Sequence, residues 1–475
     1  MIGLIARNRE RRELECLYGS SRSEFVIVYG RRRIGKTFLV NQVFGDRFTF
    51  TFVGTRDQDT SVQLQRFAHQ LQLFSGSPYA PSLGNWNDAL NELRALIERL
   101  PHNERKVIFF DEMPWIDTPR SSFVDALEYF WNAWAAQRDD ILFIACGSAT
   151  SWMVDKLVKN HGGLHNRITA RIYLRPFVLG ECEEMLHAMG CHWDRYSIVQ
   201  CYMVFGGVPF YLSLLQPGQT LAQNIDRLFF EKNAMMREEF EQMFAALFPQ
   251  ADRYLTIVEA LAGRREGMLR QEIVEATGIS GGNLTQVLEN LERCDFVVTY
   301  AKYKSSVRNS LYRISDPYVL FYFKFVRNNT TKDAHYWSTH LTSASILAWQ
   351  GFSFEMVCQA HLQQIKQALG ISGIATNSCS WRHKGSAEQP GAQIDLLIER
   401  GDRAINICEM KFSTEPYTIT KSYEQQLRNK MALFRQVTHI TKPLLLTMVT
   451  TFGVMPGVHS GIVQSEVTMD DLFYN

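Results

Sequence analysis

The chain has 475 residues, of which 46% are hydrophobic and 21% charged, so it carries enough apolar material for about three packed domains. This composition excludes a mainly disordered, collagen-like or coiled-coil protein. Lysine and arginine number 50 against 49 aspartates and glutamates, and the net charge of +1 creates no global attraction for nucleic acid or anionic membranes. A partner of either kind would have to bind to a local patch of positive charge.

The nine cysteines are scattered, with no CxxC pair and no cysteine–histidine spacing of the zinc type. We expect free, buried thiols in a reducing compartment. Charged residues follow Ile5 too soon for the apolar core of a signal peptide. The most apolar later stretch, 318–326, contains Lys324 and is far shorter than the ~20 residues that span a bilayer. The sequence therefore predicts a cytoplasmic protein that does not enter a membrane.

Residues 1–180 alternate apolar runs with stretches in which apolar residues recur at spacings of three and four. The runs lack polar alternation, which is typical of strands buried on both faces of a mostly parallel sheet. Five strands are predicted, at Phe25–Tyr29, Phe48–Val53, Val107–Phe110, Ile141–Cys146 and Ile172–Leu174. The pattern then becomes wholly helical, and a separate stretch of helix followed by strands begins near residue 345.

The strongest motif is GRRRIGKT at 30–37, directly after the first strand and before a helical run. Glycines in such a turn let backbone N–H groups surround phosphate oxygens, and the following helix points its positive end at them. Lys36 would reach the β- and γ-phosphates, and Thr37 would bind Mg²⁺. The predicted nucleotide-binding residues are Gly30, Arg31, Arg32, Arg33, Ile34, Gly35, Lys36 and Thr37.

The sequence VIFFDE supplies the second half of such a site, an apolar strand that ends in acids. Asp111 is predicted to hold Mg²⁺ through water, and Glu112 to orient and deprotonate the attacking water. Adjacent carboxylates usually mark a solvated strand end, but the four apolar residues before them and the upstream loop favour the catalytic interpretation. A glutamate beside the magnesium aspartate also favours hydrolysis over transfer to a second substrate.

Another apolar strand, ILFIACGS, ends at Ser148, whose hydroxyl is predicted to contact the γ-phosphate or the lytic water. Capping of the strand is the alternative role. The stretch that follows is basic and contains Lys156, Lys159, Arg167, Arg171 and Arg175. Arg167 is the arginine predicted to neutralise charge developing on the γ-phosphate, with plain surface solvation as the alternative.

These motifs occur in one order together with IARNRERRELECLY, HNRIT, RPF and GGVPFYL. Over roughly 1–330 the combination resembles a prokaryotic, archaeal-type P-loop ATPase family related to AAA+ and STAND proteins. The resemblance implies ATP as ligand, the sheet order 5-1-4-3-2, and a helical lid whose GGVP turn brings Pro209 near the nucleotide. It also implies that Arg7 and Glu10 lie beside the adenine, where Ala6 replaces the glycine that the family usually has.

Residues 270–298 are typical of a helix-turn-helix, with a turn at Gly278 and a second helix capped by Ser280. Strands around Tyr300 and Leu311 would form a wing. The connection between them has only basic charges, which suit contact with a phosphate backbone: Lys302, Lys304, Arg308 and Arg313. Asn283 or Gln286 would face bases. Packing between domains is the alternative role, since Glu289 and Glu292 on the second helix oppose DNA contact.

Three charged residues interrupt the apolar strands of the C-terminal part: Asp395, Glu409 and Lys411. A hairpin that pivots at Asp402 would make Asp395 and Glu409 cross-strand neighbours about 5 Å apart. Lys411, two residues on, would point to the same face. Two carboxylates and a lysine on one patch are a candidate site for Mg²⁺ or Mn²⁺, with the lysine assisting a hydroxide nucleophile.

This D…ExK pattern resembles the PD-(D/E)xK nuclease superfamily. Glu355 on the preceding helix matches the helical acid of that superfamily and is a predicted metal ligand, and Gln426 on the following helix would support the site. A salt-bridged hairpin face, with Lys411 neutralising the acids, is the alternative.

The predicted fold class is therefore α/β: a P-loop NTPase parallel sheet with a helical lid, a winged-helix domain and a C-terminal α/β restriction-endonuclease-like domain. The predicted boundaries are 1–180 for the ATPase core, 181–250 for the lid, 251–330 for the winged helix and 345–475 for the nuclease-like domain.

Three functions remain open from the sequence. The first is a Mg²⁺-dependent ATPase that couples its nucleotide state to the winged helix and to a nuclease-like domain on DNA. The second is a STAND-like switch that binds ATP, assembles as a homo-oligomer or with a protein partner, and carries an inactive C-terminal module. The third is a DNA-binding regulator in which hydrolysis is incidental.

Overall fold

A computed structural model describes residues 3–102, 104–148, 152–158, 164, 167–248, 250–300, 302–304, 310–331, 333–385 and 391–474. The chain divides into two compact units, Met1–Arg175 and Pro176–Asn475. Within the described ranges, no helix combines the length and the apolar character needed to cross a bilayer.

The first unit is built on five strands: β1 Glu24–Gly30, β2 Phe48–Val53, β3 Lys106–Asp111, β4 Ile141–Ser148 and β5 Ala170–Leu174. All neighbouring strands are parallel and lie in the order β2-β3-β4-β1-β5, which is the order that the family resemblance implies. Every residue of β3 and β4 is buried. This burial on both faces explains why these runs lack polar alternation.

Five helices cover the two faces of this sheet: α1 Asn8–Tyr18, α2 Lys36–Phe44, α3 Thr60–Ser75, α4 Trp86–Glu98 and α5 Phe123–Ala133. Two of them begin at residues whose side chains accept a backbone N–H of the first turn, Asp59 for α3 and Asn85 for α4. Aromatic side chains fill one face, where Trp86 packs edge-on against Phe67 and Phe123.

The second unit begins with helices and continues into two sheets. Its helices are α6 Leu179–Ala188, α7 Arg195–Phe205, α8 Pro209–Leu212, α9 Leu221–Ile225, α10 Met235–Leu247, α11 Ala251–Ala262, α12 Arg270–Thr277, α13 Gly281–Arg293, α14 Pro317–Phe321, α15 Tyr336–Thr339, α16 Ala344–Ala360, α17 Leu362–Ala368 and α18 Lys421–Thr438. Its strands are β6 Met268–Leu269, β7 Val297–Tyr300, β8 Leu311–Ile314, β9 Thr376–His383, β10 Ala392–Arg400, β11 Ile405–Lys411, β12 Leu444–Thr450 and β13 Ser465–Thr468.

Helices α12 and α13 are joined by a turn in which Gly278 has a φ of 70°, a left-handed conformation that glycine adopts without strain. Strands β7 and β8 pair antiparallel, and β6 completes a three-stranded sheet in the order β6-β8-β7. The predicted cap at Ser280 is wrong in one respect. Ser280 stands at the N-cap of α13, but its side chain makes no capping hydrogen bond.

The larger sheet of the second unit has the order β13-β12-β11-β10-β9. Strands β9, β10 and β11 pair antiparallel, whereas β11, β12 and β13 are parallel. Helix α18 covers one face through Leu427, Leu433 and Phe434, which pack with strand residues in one hydrophobic cluster. The sheet is therefore mixed, with β9 and β13 at its edges.

His361, which follows α16, lies fully buried in the second unit. Its Nε2 accepts the backbone N–H of Leu179 at 2.8 Å, and its Nδ1 lies 2.7 Å from the Val357 carbonyl oxygen. Both contacts are satisfied by a neutral ring with the proton on Nδ1. Burial lowers the pKa of His361 to about 4.

We expect His361 to make the second unit sensitive to acid. The unfolded chain takes up a proton near pH 6.5 and the folded chain only near pH 4, so stability is complete above pH 6.5 and falls as the pH drops toward 4. The difference corresponds to about 3 kcal/mol. Calorimetric melting between pH 4 and 7 should show a steeper fall for the wild type than for His361→Gln. His69→Gln, at an exposed histidine, is the control, and equal slopes in all three proteins would contradict the assignment.

Candidate functional site

The loop that follows β1 has a backbone that requires its glycines. A Cβ atom on Gly30 would lie 2.4 Å from the carbonyl oxygen of Leu174, closer than such atoms can approach. Gly35 has a φ of 86° and stands at the N-cap of α2, where no side chain caps the first turn. Arg33 also has a positive φ, 70°. The N-cap residue of α2 thus offers no side-chain acceptor to the first-turn N–H groups, which suits a helix end that binds an anion.

Lys36 and Thr37 begin α2 and turn their side chains to opposite parts of the site. The Lys36 ammonium donates to the carbonyl oxygens of Arg31 at 3.0 Å and Gly30 at 3.4 Å, so it lies across the loop. Thr37 Oγ1 donates to Asp111 Oδ2 at 2.7 Å. This hydrogen bond joins the start of α2 to the end of β3.

The pair of oxygens at Thr37 and Asp111 fits a magnesium ion. Both atoms are hard ligands and lie 2.7 Å apart, and the exposed Thr37 leaves one side of the pair open to water. Mg²⁺ in proteins takes one or two such oxygens and keeps water or phosphate oxygens at its other positions.

Glu112 comes directly after β3 and has a φ of 46°, so the chain turns sharply there. Its backbone N–H donates to Asp111 Oδ1 at 2.9 Å, which fixes the turn. Burial raises the pKa of the Glu112 carboxyl; the Lys36 charge opposes this shift and the Asp111 charge adds to it. A carboxylate with a raised pKa is a better proton acceptor near neutral pH than an ordinary glutamate.

Ser148 and Arg167 occupy different surroundings. Ser148 is the last residue of β4 and pairs in register with Gly30, the first residue of the loop. Ser148 is buried, with 9% of its surface exposed, and its contact with the γ-phosphate or the lytic water stays a prediction. Arg167 is exposed, and its backbone N–H donates to the Leu164 carbonyl oxygen at 3.1 Å. Lys159 lies outside the described residues.

The N-terminal element reaches the loop through Arg7. The Arg7 side chain is 6% exposed, and its Nη2 donates to the carbonyl oxygen of Arg175 at 2.7 Å and lies 3.5 Å from that of Ile34. Glu10 Oε1 lies 3.9 Å from the other guanidinium nitrogen. Ala6 has a φ of 55°, a conformation that glycine adopts without strain, which gives a physical reason for glycine at this position in the family.

Gln63 on α3 is a site residue that the sequence did not reveal. It is fully buried, and its Nε2 donates to the carbonyl oxygens of Thr55 at 2.6 Å and Trp115 at 3.0 Å. Its Oε1 accepts the Thr55 N–H at 3.3 Å. Gln63 therefore ties the loop after β2 to the turn that begins at Glu112. The only signal in the sequence was a glutamine on the apolar face of an amphipathic helix.

The predicted lid turn belongs to the second unit. Gly207 packs directly on Phe177, since a Cβ atom there would lie 1.9 Å from the Phe177 carbonyl oxygen. The Phe177 N–H donates to the Gly207 carbonyl oxygen at 2.6 Å. Pro209 is the first residue of the short helix α8. The turn thus has a structural reason for its second glycine.

In the C-terminal part, the predicted hairpin register is confirmed as far as the pairing extends. Leu396 lies opposite Cys408, and the pairs continue to Glu399 opposite Ile405 around the turn at 400–404. At the end away from the turn, Leu396 and Cys408 are the last paired residues, and the residues one step beyond them are Asp395 and Glu409. The pairing of β10 with β9 shifts register between Ile394 and Leu397, so a bulge lies at residues 395–396.

In the conformation described, Glu355, Asp395 and Glu409 are not gathered closely enough to share one metal ion, and a metal site formed by them stays a prediction. The carboxylate oxygens of these three acids do not all lie within 4.8 Å of one another. In the part of the chain that the structure describes, His102, Asp139 and Asp140 are the only group whose ligand atoms, one ring nitrogen and two carboxylate oxygens, meet that distance. The pairing of β10 with β9 is irregular at this position, so the strict two-residue alternation on which the prediction of a shared face depended does not hold there.

Each acid instead has partners within the chain. Glu409 is 8% exposed, forms an ion pair with Lys430 through one oxygen, and accepts the Tyr423 hydroxyl at 3.2 Å through the other. Lys411 lies over the Tyr423 ring, 5.1 Å from its centre. Asp395 Oδ1 accepts the Gln393 side-chain amide at 2.6 Å.

The sequence missed Tyr423 and Lys430, although both are detectable from helical spacing. They stand three before and four after Gln426 on α18, the residue predicted to support the site, and Gln426 itself is exposed.

Glu355 is 18% exposed, and burial together with the Asp395 charge raises its pKa to about 7. The cations Arg265, Arg313 and Lys411 act in the opposite direction. Arg265 Nη2 lies 3.5 Å from Glu355 Oε1.

Arg313 is not available for the predicted phosphate contact. Its guanidinium donates to the side-chain oxygen of Gln359 and lies 3.3 Å from the Tyr300 hydroxyl oxygen, inside the second unit. Lys304 is exposed, and Arg308 lies outside the described residues. On α13, Asn283 and Gln286 are exposed.

The geometry at 30–37 and 111–112 defines a P-loop nucleotide site on a parallel α/β sheet. Residues 4–215 match the family model described as an ATPase domain predominantly from Archaea.

Two proteins resemble the chain over a larger part of its length. An uncharacterized protein of Methanocaldococcus jannaschii, MJECL04, is 22% identical over 412 residues, which are 86% of this chain and 87% of that protein. The Walker-type ATPase PABY2304 of Pyrococcus abyssi has a similar fold, with a TM-score of 0.51 and 18% identity over 68% of this chain and 96% of that one. The similarity to the Pyrococcus structure extends beyond the first unit.

Replacing Gln63 by leucine should destabilise the first unit. The change leaves the Thr55 N–H and two carbonyl oxygens without their partner, which costs at least about 2 kcal/mol. We expect a lower melting temperature of the first unit and slower ATP turnover, because the turn that carries Glu112 loses its support. Gln65→Leu, two residues along the same helix at an exposed position, is the matched control. Equal melting of the two variants would show that Gln63 does not support the site.

Proposed function

We propose that this chain is a magnesium-dependent ATPase. The observation that carries the proposal is the 2.7 Å hydrogen bond between Thr37 and Asp111, with the Lys36 ammonium lying across the loop beside it. Three separate requirements of phosphate chemistry thus meet at one edge of the sheet: a cation for the phosphates, a pair of oxygens for Mg²⁺, and a carboxylate next to them.

Each of the chain's own groups has a distinct task in this proposal. The N–H groups at the start of α2 bind the phosphate oxygens, and Lys36 leaves the carbonyl oxygens of the loop to neutralise the β- and γ-phosphates. Thr37 and Asp111 would hold Mg²⁺, which would neutralise part of the developing charge. Glu112 accepts a proton from the water that attacks the γ-phosphorus, and Ser148 donates a hydrogen bond to that phosphate or to the water.

Substitutions of Lys36 and Glu112 separate binding from turnover. Lys36→Ala should lose ATP binding, because it removes the ammonium group that lies across the loop. Glu112→Gln should keep ATP binding and lose about 10²- to 10⁴-fold in turnover, since the amide cannot accept the proton. Calorimetry with ATP and Mg²⁺ measures the binding, and phosphate release measures the turnover.

The control for Glu112→Gln is Glu92→Gln, the same change at an exposed position on α4, which should leave both quantities unchanged. Wild-type turnover in Glu112→Gln would assign the proton acceptor to another residue. Absence of heat on addition of ATP to the wild-type protein would remove the ATPase proposal itself.

We also propose that the C-terminal part is a PD-(D/E)xK nuclease-like domain that acts on DNA when the ATPase allows it. The support is its element order, a helix with Glu355, an antiparallel hairpin with Asp395 and Glu409, a helix, and a parallel strand. The hairpin register supports it as well, because Asp395 and Glu409 stand one step beyond the last paired residues. In the conformation described, these residues do not form a metal site, so the domain has to rearrange before it can act.

The nuclease proposal predicts metal-dependent nicking of supercoiled plasmid, with Mg²⁺ or Mn²⁺ and with ATP present or absent. Asp395→Ala and Lys411→Ala should each abolish the nicking, whereas Asp402→Ala at the exposed turn should not. An Arg265→Ala variant is included because Arg265 forms an ion pair with Glu355, one of the predicted metal ligands. If the plasmid stays intact with both the wild type and this variant under all these conditions, the nuclease proposal is wrong.

A further inference from the structure

The hairpin of β7 and β8 is attached to the edge of the larger sheet. Lys302, just after β7, forms a parallel bridge with Ser380 of β9, and the Tyr303 N–H donates to the Ser380 carbonyl oxygen at 2.9 Å. Strand β9 is an edge strand, and its unpaired backbone groups are what an added strand segment can bind.

The Tyr303 side chain is part of the hydrophobic cluster of the C-terminal part. It is 8% exposed, and its ring centre lies 5.2 Å from that of Phe434 on α18, next to Trp381 of β9. Its hydroxyl is buried with no hydrogen-bond partner among the described residues. The attachment therefore combines apolar burial with an unsatisfied polar group, so it is weaker than a fully matched interface.

A second set of contacts reaches the predicted nuclease-like site. The Tyr300 hydroxyl and the Arg313 guanidinium both meet the side-chain oxygen of Gln359, and Gln359 Nε2 lies 3.4 Å from the Asp395 carbonyl oxygen. Gln359 stands one helical turn after Glu355 on α16. The hairpin thus contacts the helix that carries Glu355, and Gln359 connects it to the strand that carries Asp395.

Arg265, in the loop before β6, provides the third contact. It forms the ion pair with Glu355, and its guanidinium carbon lies 4.7 Å from the centre of the Phe352 ring, with Arg313 at 5.8 Å from the same ring. The cavity left between these elements is about 30 Å³ and is lined by residues that include Tyr300, Arg313, Gln359 and Asp395. A space of that size holds about one water molecule and no nucleic-acid backbone.

We propose that this attachment is an autoinhibitory contact, in which Arg265 and Arg313 take the place of a divalent cation beside Glu355 and Asp395. The inference rests on the nuclease-like function proposed above, and it explains why the acids are not gathered around a common point. Strand β6 pairs with β8, so the loop before β6 moves together with the hairpin. When this three-stranded sheet leaves β9, the two guanidinium groups leave the acids, and a divalent cation and a phosphodiester can enter. The ion pair with Glu355 is half-exposed and contributes little, so the balance is easily shifted.

The first test measures Mn²⁺ binding to the full-length, nucleotide-free protein by calorimetry. Arg265→Ala should raise the Mn²⁺ affinity about fivefold, the size expected for one surface ion pair that no longer competes. Arg264→Ala removes the same charge from an adjacent exposed position and should leave the affinity unchanged. Asp395→Asn should abolish the binding and so identifies the site.

The possible results of this test separate the two proposals. An Asp395-dependent Mn²⁺ affinity that is equal in the wild type, Arg264→Ala and Arg265→Ala would overturn the autoinhibitory contact and leave the metal site intact. Absence of Asp395-dependent Mn²⁺ binding in every variant would overturn the nuclease-like proposal, and the inference with it.

The second test uses Tyr303 to shift the contact in both directions. Tyr303→Phe removes the unsatisfied hydroxyl and should bind β9 more tightly, whereas Tyr303→Ser removes the apolar ring and should release it. Hydrogen exchange of residues 376–383 should slow in the first variant and accelerate in the second, and Mn²⁺ affinity should fall and rise accordingly. If Tyr303→Phe slows exchange but leaves the Mn²⁺ affinity unchanged, attachment of the hairpin does not control the metal site. This result decides the question by itself if Tyr303→Ser does not fold.

Discussion

The nucleotide site depends on one constraint, that neighbouring parallel strands end at the same edge of a sheet. Strand β1 lies between β4 and β5, and β3 lies beyond β4, so the loop at 30–37, Ser148 and Asp111 emerge together. The hydrogen bond from Thr37 to Asp111 then ties the loop to β3. A change in strand order would separate these groups even if each motif kept its own local structure.

The first unit could be predicted almost completely because its signals are local. Strands buried on both faces appear as uninterrupted apolar runs, and the loop and VIFFDE each stand at the end of such a run. The contacts of Gln63 and Arg7 could not be predicted, because each joins segments distant in sequence through carbonyl oxygens that every residue possesses. Only the folded chain determines which carbonyl lies within reach.

The C-terminal part shows where prediction from local patterns stops. The turn after β10 fixed the hairpin register, and the observed pairs agree with it. The bulge in β10 did not follow from the turn. Ile394 and Leu397 belong to one hydrophobic cluster although they are three positions apart, an odd spacing in a strand. An inserted residue in the strand produces this spacing, and a bulge has no reliable sequence signature.

Helix α13 and the hairpin of β7 and β8 present two surfaces that need not act together. The hairpin of β7 and β8 is bound to β9 through Tyr303. The surface of α13, by contrast, is open to solvent at Asn283 and Gln286. A phosphate backbone bound through the hairpin would compete with β9 for the same residues, so such binding and release of the C-terminal acids would be linked. Nucleic acid bound through α13 alone would leave the hairpin attached. The surface used for binding therefore determines whether a nucleic acid would also act as an activator.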